Sequence, residues 1–212
     1  MPAKITLVDY GAGNLPSVER ALRRLGAETE RTADPRAVET ARVLVLPGVG
    51  HFGAMMRTLG AGGLISPLRS AIGRGVPFLG ICLGLHALFE CSAEASGVEG
   101  LGILPGRVEP LPQTVKLPHM GWNQLRRVGQ SELLRGVPDG AWFYFAHSYA
   151  ALASEGRAAG SSLRGSTVAL CEHGAPFVAV LQQGAANAVQ FHPEKSGEPG
   201  AQVLQNFLEL SR

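Results

Sequence analysis

The stretch Gly75-Val76-Pro77-Phe78-Leu79-Gly80-Ile81-Cys82-Leu83-Gly84 constrains this chain more than any other. Val76 to Ile81 is a short apolar run that reads as a buried strand, and the apolar residues after Gly84 keep helical spacing through Leu85, Leu88 and Phe89. Between the two, Cys82 has a glycine two residues away on either side, Gly80 and Gly84. That is the Gly-x-nucleophile-x-Gly spacing of a strand-to-helix elbow. A nucleophile at the tip of a strained turn needs backbone neighbours without Cβ atoms. A helix starting behind it turns free N–H groups and a positive dipole end towards the sulfur, which favours thiolate. A buried structural cysteine in a strand fits the same stretch, so the rest of the chain has to decide.

The flanking sequence supplies the architecture. Lys4 to Asp9 is an apolar run ending in the turn Tyr10-Gly11-Ala12-Gly13-Asn14, followed by helical spacing at Val18, Leu22 and Leu25. Pro16 stands near the start of that helix and Gly26 just past its end. A dinucleotide-binding reading of this opening fails, because Pro16 occupies the place of the third glycine. Asp34-Pro35 starts a short helix, and Val43 to Leu46 is a second buried strand that empties into the glycine-rich loop Pro47-Gly48-Val49-Gly50-His51-Phe52-Gly53. Helical patterns follow from about Ala54 and from Leu64. This alternation predicts an α/β fold with an open, mostly parallel central sheet and helices on both faces. Ligands of such sheets bind at the carboxyl ends of the strands, where the Pro47–Gly53 loop and the Cys82 elbow both fall.

After Cys91 the pattern changes. Residues 93–100 form a polar loop, and then come short strand-like runs at Gly121–Leu125, Ala141–Ala146, Thr167–Glu172, Phe177–Gln182 and Ala186–Phe191. These predict partly antiparallel strands added to the sheet or beside it, with a closing helix from about Pro199 to Leu210. No repeat and no linker divides the 212 residues, which read as one domain, 1–212.

Composition removes several classes of function. The net charge is +2, and its only basic clusters are Arg23-Arg24 and Arg126-Arg127, so a nucleic-acid surface is not expected. Three cysteines without a Cys-x-x-Cys cannot all pair with one another, which fits reduced thiols in the cytoplasm. Cys91 and Cys171 read as structural. Six singly spread histidines give no zinc spacing, and neither a metal nor a cofactor is expected. No long apolar stretch suggests a membrane span, and the N-terminus opens on a strand rather than a signal peptide.

A catalytic cysteine needs a base, and the base needs an orienting group. Gln190-Phe191-His192-Pro193-Glu194-Lys195-Ser196, at the end of the last strand-like run, supplies both. His192 and Glu194 are two apart, so in extended chain their side chains lie on one side, and Pro193 between them disfavours helix. A carboxylate there fixes the tautomer of the imidazole and supports its positive charge. Taken alone, the same stretch also reads as a surface turn.

With both halves in place, Gly80-Ile81-Cys82-Leu83-Gly84 and Gln190-Phe191-His192-Pro193-Glu194 resemble the class I (triad) glutamine amidotransferases. Four further stretches, Asp9–Asn14, Leu46–Gly53, Pro118-His119-Met120-Gly121-Trp122-Asn123 and His147-Ser148-Tyr149, resemble one branch of that family. That branch comprises the glutaminase subunits of imidazole glycerol phosphate synthase in histidine biosynthesis. The resemblance runs over essentially the whole chain. It implies that Cys82 attacks the side-chain amide of L-glutamine, that His192, oriented by Glu194, moves the protons, and that water hydrolyses the glutamyl thioester. The backbone N–H groups of Leu83 and Val49 are then the oxyanion donors, and the flanking glycines let the Val49 peptide turn over when the partner binds its own ligand.

The same resemblance implies that Glu94 meets the α-ammonium of glutamine and that Gly50, Ser148 and Tyr149 border the substrate. His86 departs from the family, which carries Gln there against bound glutamine. Imidazole lacks the paired donor and acceptor of an amide. Gly13, Asn14, Trp122, Asn123 and Lys195 would face a cyclase (synthase) subunit in a heterodimer, although Trp122 also reads as plain core. Two other functions remain open on sequence alone. One is a glutaminase serving an anthranilate- or purine-type acceptor. The other is an idle scaffold that only stimulates a partner.

Overall fold

The structure is a computed structural model and describes residues 4–153, 163 and 166–211. The first half follows the alternation of its sequence. β1 (Lys4–Val8) leads into α1 (Leu15–Arg24), with Pro16 in the first turn, Arg23 and Arg24 in the last, and Gly26 at φ +82° just beyond. β2 (Glu28–Thr32) and α2 (Pro35–Glu39) follow, the latter capped by the Asp34 carboxylate, which accepts from the Arg36 N–H at 2.9 Å. Then come β3 (Leu44–Gly48), α3 (Phe52–Ala61), α4 (Ile65–Gly73) and β4 (Phe78–Cys82). β3 and β4 are buried along their whole length, which is why their apolar runs are continuous rather than alternating.

β2 was not legible as a strand. Glu28-Thr29-Glu30-Arg31-Thr32 contains no aliphatic residue, and it forms the edge of the sheet, where charged side chains are the rule. Parallel pairing with β1 and a hydrogen bond from Thr6 Oγ1 to Glu30 Oε1 (3.1 Å) hold it there.

The segment after the elbow also differs from expectation. The helix α5 (Leu83–His86) is a single turn, and the chain then enters β5 (Phe89–Ser92), which pairs in parallel with β6 (Leu104–Pro110). The competing ladder takes the carbonyls that a longer helix would use. Ala87 O accepts from Leu101 N–H at 2.6 Å, and Leu88 O accepts from Leu104 N–H at 2.8 Å. Two prolines and a glycine hide β6 in the sequence.

The remaining elements are β7 (His119–Gln124), β8 (Arg126–Arg127), β9 (Trp142–His147), β10 (Tyr149–Ala150), β11 (Thr167–Glu172), β12 (Pro176–Gln183), β13 (Ala186–Val189) and α6 (Gly197–Leu210). The main sheet has eight strands in the order β2-β1-β3-β4-β13-β12-β11-β8. It is parallel from β2 to β13 and antiparallel beyond. β7 and β9 stand apart as an antiparallel ribbon.

Each face of the sheet has its own core. Val18 and Leu22 of α1 and Val203 and Phe207 of α6 pack on one side with Ile5, Leu7 and Ile81. Phe52, Met55 and Leu59 of α3 and Leu68 of α4 pack on the other with Leu44 and Leu46. The chain leaves β1 outward to β2 and returns across it to β3, so the direction of winding reverses at the carboxyl ends of β1 and β3.

Candidate active site

Cys82 ends β4 at φ +53° and ψ −107°, the one non-glycine residue with positive φ among the described residues. Such a backbone costs on the order of 1–3 kcal/mol and persists only where its surroundings over-determine it. The neighbouring glycines do that. A Cβ on Gly80 would sit 2.6 Å from Gly84 O, one on Gly84 would overlap the Leu46 carbonyl oxygen, and one on Gly48 would sit 2.6 Å from Leu83 Cβ. Strand β4, the turn of α5 and the end of β3 therefore meet backbone to backbone, and the sulfur is thrust to the carboxyl edge of the sheet.

His192 arrives at the same edge from β13. Its N–H donates to Tyr144 O at 2.9 Å, and its carbonyl accepts from Ser196 Oγ at 2.7 Å, so its backbone is pinned to β9 and to the start of α6. A short turn over Pro193–Lys195 brings Glu194 back beneath it. His192 Nδ1 lies 3.0 Å from Glu194 Oε1, with side chains 4% and 0% exposed, and Cys82 is close enough to the ring to interact with it. Burial by itself would lower the pKa of His192. The hydrogen bonds and negative charges of Cys82 and Glu194 outweigh burial and raise it to about 10. The imidazole is thus protonated at neutral pH, the charge that a thiolate needs beside it.

The other buried imidazoles behave oppositely. Burial pushes His86 down to about 4, against the pull of its Gln190 hydrogen bond, and it pushes His119 to about 4 with help from His173. His147 is held well below the usual range, by burial first. Burial likewise pushes the Cys171 thiol up to about 12. One imidazole charged among neutral ones, against one sulfur, separates His192 and Cys82 from the structural residues.

A cleft opens over the sulfur. Cys82, Leu83, His86, Glu94, Ser148, Tyr149 and His192 line it, with Val49 and Gly50 at one side and Lys195 at the rim. The β3–β4 register sets Gly48 opposite Cys82, which delivers Val49 next to it. Val49 is 40% exposed, and Gly50 has φ +96°. Gly13, at φ +110°, lies against this loop, since a Cβ there would sit 3.3 Å from Pro47 O. The buried Tyr10 hydroxyl lies here too. Burial pushes it up to about 12 and the Cys82 charge adds to this, while the Val49 peptide draws it partly back without completing full hydrogen-bond geometry.

Several side chains have different occupations from those their motifs suggest. Glu94 Oε2 accepts from the Phe52 N–H at 2.8 Å, tying the cleft to the start of α3. Asn14, expected on a docking surface, donates through Nδ2 to Glu194 Oε1 at 3.1 Å and so steadies that carboxylate. Asn123 turns inward, because alternation along β7 places it opposite to Trp122. Its Nδ2 lies 2.9 Å from Glu172 O and 3.2 Å from His119 Nε2. Trp122 is 52% exposed and meets Tyr144 edge-on, and Lys195 Nζ lies 5.5 Å from the Tyr144 ring centroid. Sequence reasoning missed Ala146, His147 and Gln190 as neighbours of the sulfur. His147 borders the cleft, Ala146 O lies 4.0 Å from Cys82 Sγ, and Gln190 Nε2 lies 3.7 Å from it. Among the described residues, no group of three or more His, Cys, Asp or Glu side chains is arranged to hold a metal ion.

The chain belongs to the class-I glutamine amidotransferases: the model of that family matches residues 6–210. Similar curated proteins are more specific. Imidazole glycerol phosphate synthase subunit HisH of Moorella thermoacetica is 47% identical over 208 residues, covering 98% of this chain and 95% of that protein. The subunit HisH of Methanothermobacter thermautotrophicus is 47% identical over 208 residues, covering 98% and 99%, and that of Xylella fastidiosa is 46% identical over 210 residues, covering 98% of each. Among solved structures, a glutamine amidotransferase crystal structure superposes with a TM-score of 0.74 at 21% identity, covering 97% of this chain and 98% of that one. PurLQS from Thermotoga maritima superposes with a TM-score of 0.75 at 18% identity over all of both chains. These two establish the shared fold.

Proposed function

We propose that this chain is the glutaminase subunit of imidazole glycerol phosphate synthase, supplying ammonia for histidine biosynthesis. The observation that carries the chemistry is the buried series Cys82, His192, Glu194 at the floor of one cleft. The Cys82 sulfur attacks the side-chain amide carbon of glutamine, and the new oxyanion forms beside the Leu83 and Val49 peptides. His192 already carries the proton that the leaving ammonia requires. Once neutral, it draws a proton from the water that cleaves the thioester, releasing glutamate. Glu194, steadied by Asn14, keeps Nδ1 of the ring occupied throughout. The carboxylate of Glu94 keeps one oxygen for the α-ammonium of the substrate, a charge-assisted contact. Gly50, Ser148 and Tyr149 shape the cleft around the rest of it.

Released ammonia becomes ammonium in water at neutral pH and ceases to be a nucleophile, so it has to be handed over before it escapes. The proposed recipient is a cyclase subunit seated over the mouth of the cleft. Met120, Trp122 and Trp142 expose large apolar surface on the β7–β9 ribbon there, with Lys195 beside them. Gly13 lies against the Pro47 carbonyl, at the base of the Val49 loop. Among the described residues no helix is long and apolar enough to cross a membrane, and the three free thiols fit a reducing cytoplasm. Following glutamate release in mixtures with candidate synthase subunits tests this reading. Turnover that rises only with the imidazole glycerol phosphate cyclase, and is lost in Cys82→Ala, supports it. Equal stimulation by an anthranilate- or purine-type synthase, or no stimulation at all, refutes it.

A further inference from the structure

Two buried polar side chains behind the sulfur have no part in the reaction described so far. Gln190 is 0% exposed and His86 3% exposed, and polar groups this deep are retained only where hydrogen bonds compensate their burial. His86 Nε2 lies 2.8 Å from Gln190 Oε1, and Gln190 Nε2 lies 3.7 Å from Cys82 Sγ. The three groups form a series from the one-turn helix α5, through the end of β13, to the elbow. Its chemistry reads in one direction only. The Gln190 amide turns its NH2 to the sulfur, which accepts from it. Its oxygen then needs a donor, and a neutral His86 in the Nε2–H form is one. Burial, which pushes His86 down to about 4, keeps it neutral, and Nδ1 has no protein partner, which leaves the proton on Nε2. The reversed amide would set an oxygen against the sulfur and an NH2 against Nε2–H.

We propose that Gln190 is a second hydrogen-bond donor to the Cys82 sulfur, and that His86 is the positioning residue that holds the Gln190 amide in the donating orientation. The inference rests on Cys82 being the nucleophile, and it gives the histidine at position 86, where the resembling family carries glutamine, a role behind the nucleophile. Removing either link withdraws one hydrogen bond from the charged sulfur and shifts formation of the thiolate to higher pH by about one to two units.

Alkylation of the full-length chain by iodoacetamide as a function of pH reads this directly, with the modified cysteine located by peptide mass spectrometry. No glutamine and no partner are needed, so the result is independent of the acceptor that the enzyme serves. Gln190→Leu and His86→Leu are each expected to move the alkaline rise of Cys82 labelling up by about one to two pH units. His86→Gln, whose amide can donate to Gln190 Oε1, is expected to keep the wild-type profile. The double variant is expected to shift no further than either single one, because the two residues act in series. Gln190→Met serves in place of Gln190→Leu if the latter fails to fold. Coincident profiles for wild type, His86→Leu and Gln190→Leu would overturn the proposal, as would shifts that add in the double variant. A change in thermal stability with an unmoved profile would reduce both residues to packing and overturn it equally.

Discussion

At the scale of single residues, the glycines divide into two kinds with different costs. Gly84 is required by space, since an added Cβ would overlap a backbone carbonyl of the neighbouring strand. Gly97, at φ +76°, is required by conformation alone, since nothing lies within 4 Å of its Cβ position. Gly84→Ala is therefore expected to lose at least about 3 kcal/mol in urea unfolding, or to fail to fold, and Gly97→Ala only about 1–2 kcal/mol. Equal costs at the two positions would contradict the close backbone packing assigned to Gly84. His192 gives a second prediction. Its ordinary value is about 6.5, and its value in the folded chain is about 10. Because the folded value is the higher, the charged imidazole contributes its full stabilisation below pH of about 6.5, and that contribution is lost as pH rises through about 10. NMR titration of the ring nitrogens should find His192 protonated at pH 8, with its titration moved to lower pH in Cys82→Ala. A neutral ring at pH 8 would contradict the ion pair. The elbow spacing and the His-Pro-Glu pair were legible because each is local in sequence. The links Asn14–Glu194 and His86–Gln190 were not, because they join residues 180 and 104 positions apart, and only the sheet brings them together.

At the scale of elements, the apolar runs found β1, β3, β4 and the five later strands with small errors at their ends, and Thr167–Glu172 coincides with β11. What escaped was governed by partners rather than by composition. β2 is a polar edge strand, β6 is broken by prolines, and the helix after Cys82 stops after one turn because β5 claims its continuation for a ladder. A one-turn helix has little dipole to offer the sulfur, so the charge of His192 is the larger electrostatic influence beside it. The β7–β9 ribbon is the other element of consequence. Its outward face carries Trp122 beside exposed Met120 and Trp142, whereas its inward face carries Asn123 and His119. Trp122→Ser should therefore change unfolding stability by no more than about 0.5 kcal/mol. The same variant should weaken the partner-stimulated glutaminase, read by titrating the cyclase subunit, by at least about tenfold. A large loss of stability with unchanged stimulation would return Trp122 to the core.

At the scale of the whole molecule, the reversal of winding between β1 and β3 explains why residues so far apart in sequence share one cleft. The β1 loop brings Gly13 and Asn14, β3 brings Val49, β4 brings Cys82 and β13 brings His192, all to the same edge of the sheet. Two separate cores, one on each face, fix these strands, and Phe143 and Phe145 of β9 anchor the ribbon to one of them. The proposed chemistry thus falls on the parallel half of the sheet, and the proposed docking surface on the ribbon. The proposed function depends on one covalent event at the elbow, and acid-quenched peptide mass spectrometry after mixing the chain, the proposed cyclase partner and glutamine observes that event. A glutamyl group on the Cys82 peptide, absent in Cys82→Ala and accumulating as His192 is replaced by Ala, is the predicted result. Glutamate release without such an adduct, or an adduct confined to Cys91 or Cys171, would contradict it.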